Sequence, residues 1–133
     1  MFEWKPEYSV NIGSIDGQHQ KLFRIAEELY AAMSSGRGKA SLSSILDRLV
    51  QYTATHFAHE ERLMRAHGYP DLAAHQAEHQ ALTKQVLSFQ ADFDAGRTTM
   101  TVQVLNFIRN WLQQHIAGSD QKYAPYLIEK AVA

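Results

Sequence analysis

The chain contains no cysteine, which excludes disulfides, thiolate metal sites and a cysteine nucleophile. It also lacks an excess of charge: 13 Lys and Arg stand against 14 Asp and Glu, a formal net charge of −1. No long run of one sign occurs, so binding to nucleic acid or to an anionic membrane surface has no electrostatic support. No apolar run approaches the roughly 20 residues needed to span a bilayer. The start, Met1-Phe2-Glu3-Trp4-Lys5-Pro6, has no basic stretch followed by an apolar one, so no signal peptide is expected. These absences lead to the expectation of a cytoplasmic chain with no membrane or nucleic-acid partner. What is present is ordinary in bulk. The 133 residues are 45% hydrophobic and 20% charged, enough for one globular domain over 1–133 with a real core.

Four segments carry helical periodicity between short breaks. The first runs from about Asp16 to Ser34, with Leu22, Phe23, Ala26, Leu29, Tyr30 and Met33 on one side. The second runs from near Ser41 to about His67, with a stripe of Ile45, Leu46, Leu49, Tyr52, His56, Glu60, Leu63 and Met64. Gly68-Tyr69-Pro70 breaks the chain, and Pro70 suits the first turn of the next helix. The third runs from Pro70 to Asp94, and its inward positions Leu72, His75, His79, Leu82, Val86, Phe89 and Phe93 alternate in steps of three and four. The fourth runs from about Thr99 to Ile116, with Val104, Ile108, Trp111, Leu112 and His115 inward.

Long helices with short loops predict an all-α fold, an antiparallel up-down-up-down four-helix bundle over residues 16–118. In residues 1–15, Phe2, Trp4, Tyr8, Val10 and Ile12 all fall on even positions. Period two usually means a strand, but no partner strand exists. An extended N-terminal arm laid over the bundle is expected instead. Residues 119–133 form a C-terminal segment in which Tyr123 to Val132 is expected to make a short helix interrupted by Pro125.

The informative feature is polar residues on the apolar stripes. His75 and His79 replace apolar residues at i, i+4, and His56 and Glu60 do the same on the second helix. Residues four apart share a helix face. His19, His115 and Asp120 complete a set of seven candidate ligands. The alternative is a set of core polar groups bonded to their neighbours. An unpaired buried polar group costs about 1–3 kcal/mol and a buried carboxylate more, against a typical stability of about 5–15 kcal/mol. Metal coordination removes that objection. His59 and His67 are expected at the surface or a helix end, and Glu61 and Glu78 as exposed helix charges.

Seven ligands are too many for one ion and right for two. Suppose two octahedral ions share both carboxylates and one solvent-derived oxygen. Three bridges then fill three positions on each ion, five histidines fill five more, and one position stays open. The saturated ion would take His75, His79 and His115, and the open ion His19 and His56. An imidazole-rich, carboxylate-bridged site suits iron, with zinc, manganese or copper possible.

These residues resemble the hemerythrin family, in its single-domain bacterial form. The matching motifs are Asp16-Gly17-Gln18-His19, His56-Phe57-Ala58-His59-Glu60-Glu61, His75 with His79, His115-Ile116-Ala117-Gly118-Ser119-Asp120, Trp4, and the run from Trp111 to His115. His115 and Asp120 are five apart, a spacing that diverges on a regular helix and requires loosening near Gly118. The bundle architecture is itself exemplified by this family. The resemblance implies a non-haem di-iron centre bridged by Glu60, Asp120 and an oxo or hydroxo group. It also implies dioxygen binding at the iron with two histidines, in an apolar pocket of Leu22, Phe57, Trp111, Leu112 and Ile116. A dry pocket would exclude water, and the same five residues also serve as bundle core.

The leading expectation is therefore a monomeric protein that binds dioxygen reversibly for transport, storage or delivery, rather than an enzyme. Two alternatives stay open. One is a di-iron oxidase, peroxidase or nitric-oxide-processing enzyme. The other is a sensor of oxygen, redox state or iron, which would need an unidentified protein partner. No large apolar stripe left over from the core identifies one.

Overall fold

Helices account for nearly all of the described chain because its apolar residues recur at helical spacing. The structure, a computed structural model, describes residues 4–97 and 102–130, with the side chains of 102–104 and 117–120 outside that description. The helices are α1 (Gly13–Ser34), α2 (Lys39–Ala66), α3 (Leu72–Asp94), α4 (Val102–Gln113) and α5 (Asp120–Glu129). A π-helical turn, Gln114–Ser119, joins α4 to α5 without a break.

Cross-helix pairs establish the antiparallel order. Gln18 meets His56, and Glu28 meets Arg48 further along α1 but earlier on α2. Asp47 bonds Gln90 while Glu61 bonds His79. Phe89 packs on Phe107, and the carbonyl of Leu82 accepts from Trp111. No helix among the described residues is long and apolar enough to cross a membrane.

The expected bounds of the first three helices hold to within a few residues, and the differences have local causes; the expected start of the fourth at Thr99 lies outside the described residues. α1 begins at Gly13 rather than Asp16. The Asp16 carboxylate reaches back to accept from the Val10 N–H at 2.8 Å and from the Ser9 hydroxyl at 2.5 Å. This ties the arm to the first helical turn and extends the helix to meet it. Among its described residues the arm holds a short 3-10 turn at Pro6–Tyr8 and no strand, and Tyr8, Val10 and Ile12 are buried against the bundle. Phe2 lies outside the described residues. α3 begins at Leu72 rather than Pro70, because residues 70 and 71 complete the turn from α2. Gly36 and Gly68 close α1 and α2 with φ near +70°, a conformation costly for residues with a Cβ. The six-residue bonds Arg37 N–H to Ala32 O and Tyr69 N–H to Met64 O complete both caps. Pro125 lies inside α5 rather than ending it.

The core divides into two apolar clusters. The larger includes Leu22, Leu29, Leu46, Leu49, Phe57, Leu82, Trp111, Leu112 and Ile116. The smaller joins Val10, Ile12, Ile15, Met64, Tyr123 and Leu127. Along α1 and α2 the chain passes between them through buried polar residues, from Ile15 to Leu22 across His19 and from Phe57 to Met64 across Glu60. The candidate ligands thus form a layer between two hydrophobic blocks.

Candidate metal centre

Six of the seven expected ligands meet in that layer, and all six are buried: His19, His56, Glu60, His75, His79 and His115. Their donor atoms fall into two groups, His19, His56, Glu60 and His115, and Glu60, His75 and His79; within each, the atoms lie within 4.8 Å of one another. Glu60 belongs to both, the geometry a carboxylate needs to bridge two ions. The Asp120 side chain lies outside the described residues. Its backbone position follows from the π turn. On an α-helix, residues five apart are turned by about 140°, whereas a π turn bonds i to i+5 and brings them into register. The wide turn covers His115 and Gly118 and ends at Ser119, which sets position 120 one π turn beyond His115.

In this structure the His115 donor atom groups with those of His19, His56 and Glu60. His115 Nε2 lies 2.9 Å from Glu60 Oε1 and 3.2 Å from His56 Nε2, which is itself 2.5 Å from the same carboxylate oxygen. One acceptor draws both imidazoles to it and places His115 with His56. The His115 ring stands 5.3 Å from that of His56 and 5.2 Å from that of His79. It sits between the two groups.

Burial lowers the basicity of the imidazoles. Removal from water, reinforced by the neighbouring ring of His56, holds His19 well below the usual histidine range. Burial likewise lowers His75, and it lowers His79 to about 3. Burial pushes Glu60 the opposite way, toward the neutral acid, but the charges of His56 and His115 and their hydrogen bonds outweigh it and hold the carboxyl well below its ordinary value. Burial thus favours the neutral imidazole at His19, His75 and His79, the form that metal binding requires, and Glu60 favours its ionised form. His79 Nε2 is buried, has no hydrogen-bond partner, and lies 3.9 Å from Glu60 Oε1. Such a donor gains a partner when an ion binds.

Three supporting residues have no periodic signature and were not expected from the sequence. The His56 Nδ1–H donates to Gln18 Oε1 at 2.7 Å. The His79 Nδ1–H donates to Glu61 Oε2 at 3.3 Å, so Glu61 is no free surface charge. Each bond leaves Nε2 as the nitrogen facing the centre. The hydroxyl of the fully buried Tyr123 donates to Glu60 Oε2. By contrast, Glu78 keeps a surface role, paired with Lys122 at 3.3 Å. Half-buried His59 lies 3.3 Å from Ser14, and His67 caps α2.

The five residues expected to form an apolar pocket, Leu22, Phe57, Trp111, Leu112 and Ile116, are all buried in the larger cluster. Phe57 stacks on His79 at 4.0 Å and lies 4.6 Å from the His115 ring. Trp111 is anchored by its indole N–H, 2.9 Å from Leu82 O.

The chain is similar to known proteins. Residues 10–127 match the model of the hemerythrin HHE cation binding domain. A bacteriohemerythrin of Stenotrophomonas maltophilia is 35% identical over 121 residues, covering 91% of this chain and 78% of that one. A bacteriohemerythrin of Methylococcus capsulatus is also 35% identical over 121 residues, covering 91% and 92%. A crystal structure of wild-type hemerythrin superposes with a TM-score of 0.86 at 34% identity, covering 94% of this chain and 96% of that one. The ligand layer, the shared Glu60 and these likenesses together place the chain in the hemerythrin family.

Proposed function

We propose that this protein binds dioxygen reversibly at a carboxylate-bridged di-iron centre. Its ligands are His19, His56, Glu60, His75, His79, His115 and Asp120. The observation that carries the reading is Glu60 standing in both donor groups. The donor set of imidazole and carboxylate suits iron. By coordination count, His75, His79 and His115 would hold one ion, and His19 and His56 would hold the other, where dioxygen would bind. When bound, the iron pair supplies the electrons for dioxygen binding.

The chain's own residues supply the rest. Gln18 and Glu61 orient His56 and His79, and Tyr123 steadies Glu60. Leu22, Phe57, Trp111, Leu112 and Ile116 keep water from the open position, which protects a bound ligand from displacement. Di-iron oxidases of ferritin type use Glu-rich sites with Glu-x-x-His motifs. The imidazole-rich set here supports ligand binding over turnover, as a carrier or store acting as a monomer in the cytoplasm.

The test is stoichiometry. Metal-free protein reconstituted anaerobically with ferrous iron should take up about two irons per chain, consistent with a di-iron carboxylate bundle. An oxygen electrode should then record uptake in proportion to iron pairs, released again under vacuum. Uptake that continues with turnover of an added reductant would instead indicate an oxidase.

A further inference from the structure

The two halves of the centre are supported by unlike groups. On one side an uncharged amide oxygen, Gln18 Oε1, accepts from His56 Nδ1. On the other a carboxylate, Glu61 Oε2, accepts from His79 Nδ1. A carboxylate draws the Nδ1 proton more strongly than an amide does, and so makes the opposite nitrogen the better electron donor. His79 Nε2 is buried, forms no hydrogen bond and lies 3.9 Å from Glu60 Oε1, so the bond from Nδ1 to Glu61 is what orients the ring. A surface groove lined by Glu61, His79, Gln80, Thr83, Lys84 and Leu87 approaches from the same side.

We propose that Glu61 is a positioning residue that makes the His75–His79 half the tighter and first-filled metal position. This inference rests on the two-ion reading above. It adds an order of filling and names the residue responsible. Glu61 touches no ion; it acts through His79, and the half-exposed carboxylate is replaceable without disturbing the core, its side chain being 24% exposed.

Anaerobic titration of the metal-free chain with cobalt(II), followed by visible absorption and by paramagnetic shifts of the histidine ring protons, tests it. The wild type should bind in two resolved steps, the first shifting His75 and His79 signals and leaving His19 unshifted. In Glu61→Gln the first step should weaken about 10–100-fold, as loss of such a partner does elsewhere, while the second moves little. Gln18→Glu should strengthen the second step and narrow the gap. Two equivalent steps in the wild type, or a first step in Glu61→Gln unchanged with native circular dichroism, would overturn the inference while leaving two ions in place. Equal weakening of both steps would show a merely structural role and also overturn it. Uptake of a single cobalt by the wild type would sink the two-ion reading itself.

Discussion

At the scale of single residues, Glu60 holds the most demanding position. It is fully buried, yet its carboxyl stays ionised because His56 and His115 face one oxygen and the Tyr123 hydroxyl faces the other. Tyr123→Phe keeps the ring and removes the donor, leaving a buried charged oxygen short of a partner. A loss of about 1–3 kcal/mol is expected, read as a lower urea midpoint of the metal-free protein; an unchanged midpoint would mean that Glu60 does not depend on that bond. His79→Ala should cost more, since it removes a ligand and the ring that Phe57 stacks on. Metal analysis of that variant should find the centre depleted, and a variant with full metal content would refute the ligand role. Four of the candidate ligands were legible because they interrupt apolar stripes in i, i+4 pairs, His56 with Glu60 and His75 with His79. Gln18, Glu61 and Tyr123 were not, because a polar residue beside a ligand or on a terminal helix carries no pattern of its own. Glu61 in particular looked like any exposed helix charge until α3 was placed against α2.

At the scale of elements, the π turn Gln114–Ser119 is the local departure that the site requires. The five-residue interval between His115 and Asp120 hinted at it, since an α-helix would send the two apart. The sequence located the loosening near Gly118 without showing that it spans six residues or that α4 runs through it into α5. Inserting one alanine after Ala117 should move position 120 by one residue, about 100° of helical rotation, relative to His115. The expected result is a loss of metal affinity of about tenfold or more, since removal of even a supporting group costs about 10–100-fold. Far-ultraviolet circular dichroism should stay close to that of the wild type. Undiminished metal content in the insertion variant would show that the turn does not serve the centre. The arm was legible as something other than helix, from its period of two. Its join to α1 was not, because that depends on Asp16 reaching back to Ser9 and Val10, a contact that periodicity does not encode.

At the scale of the whole molecule, a polar layer separates two hydrophobic blocks, and its protonation links the fold to pH. His19, His75 and His79 are held neutral by burial. As pH falls below about 6.5, the unfolded chain takes up protons that these rings refuse when folded, so folding loses stability on the acid side. For His79 the window runs from about 6.5 down to about 3. Urea midpoints of the metal-free protein should therefore decline steadily from neutral pH into that range, and a flat profile would contradict the buried, neutral layer. Bound metal, which favours the folded state, should raise the midpoint at neutral pH.

The most direct measurement of the central claim is the visible spectrum of the iron-quantified protein through repeated cycles of anaerobic reduction and exposure to oxygen. A charge-transfer band that bleaches on reduction and returns in full with oxygen, cycle after cycle, at about two irons per chain, is the predicted result. A colourless protein holding one zinc, or a band that forms once and never reverses, would contradict reversible dioxygen binding at a di-iron centre.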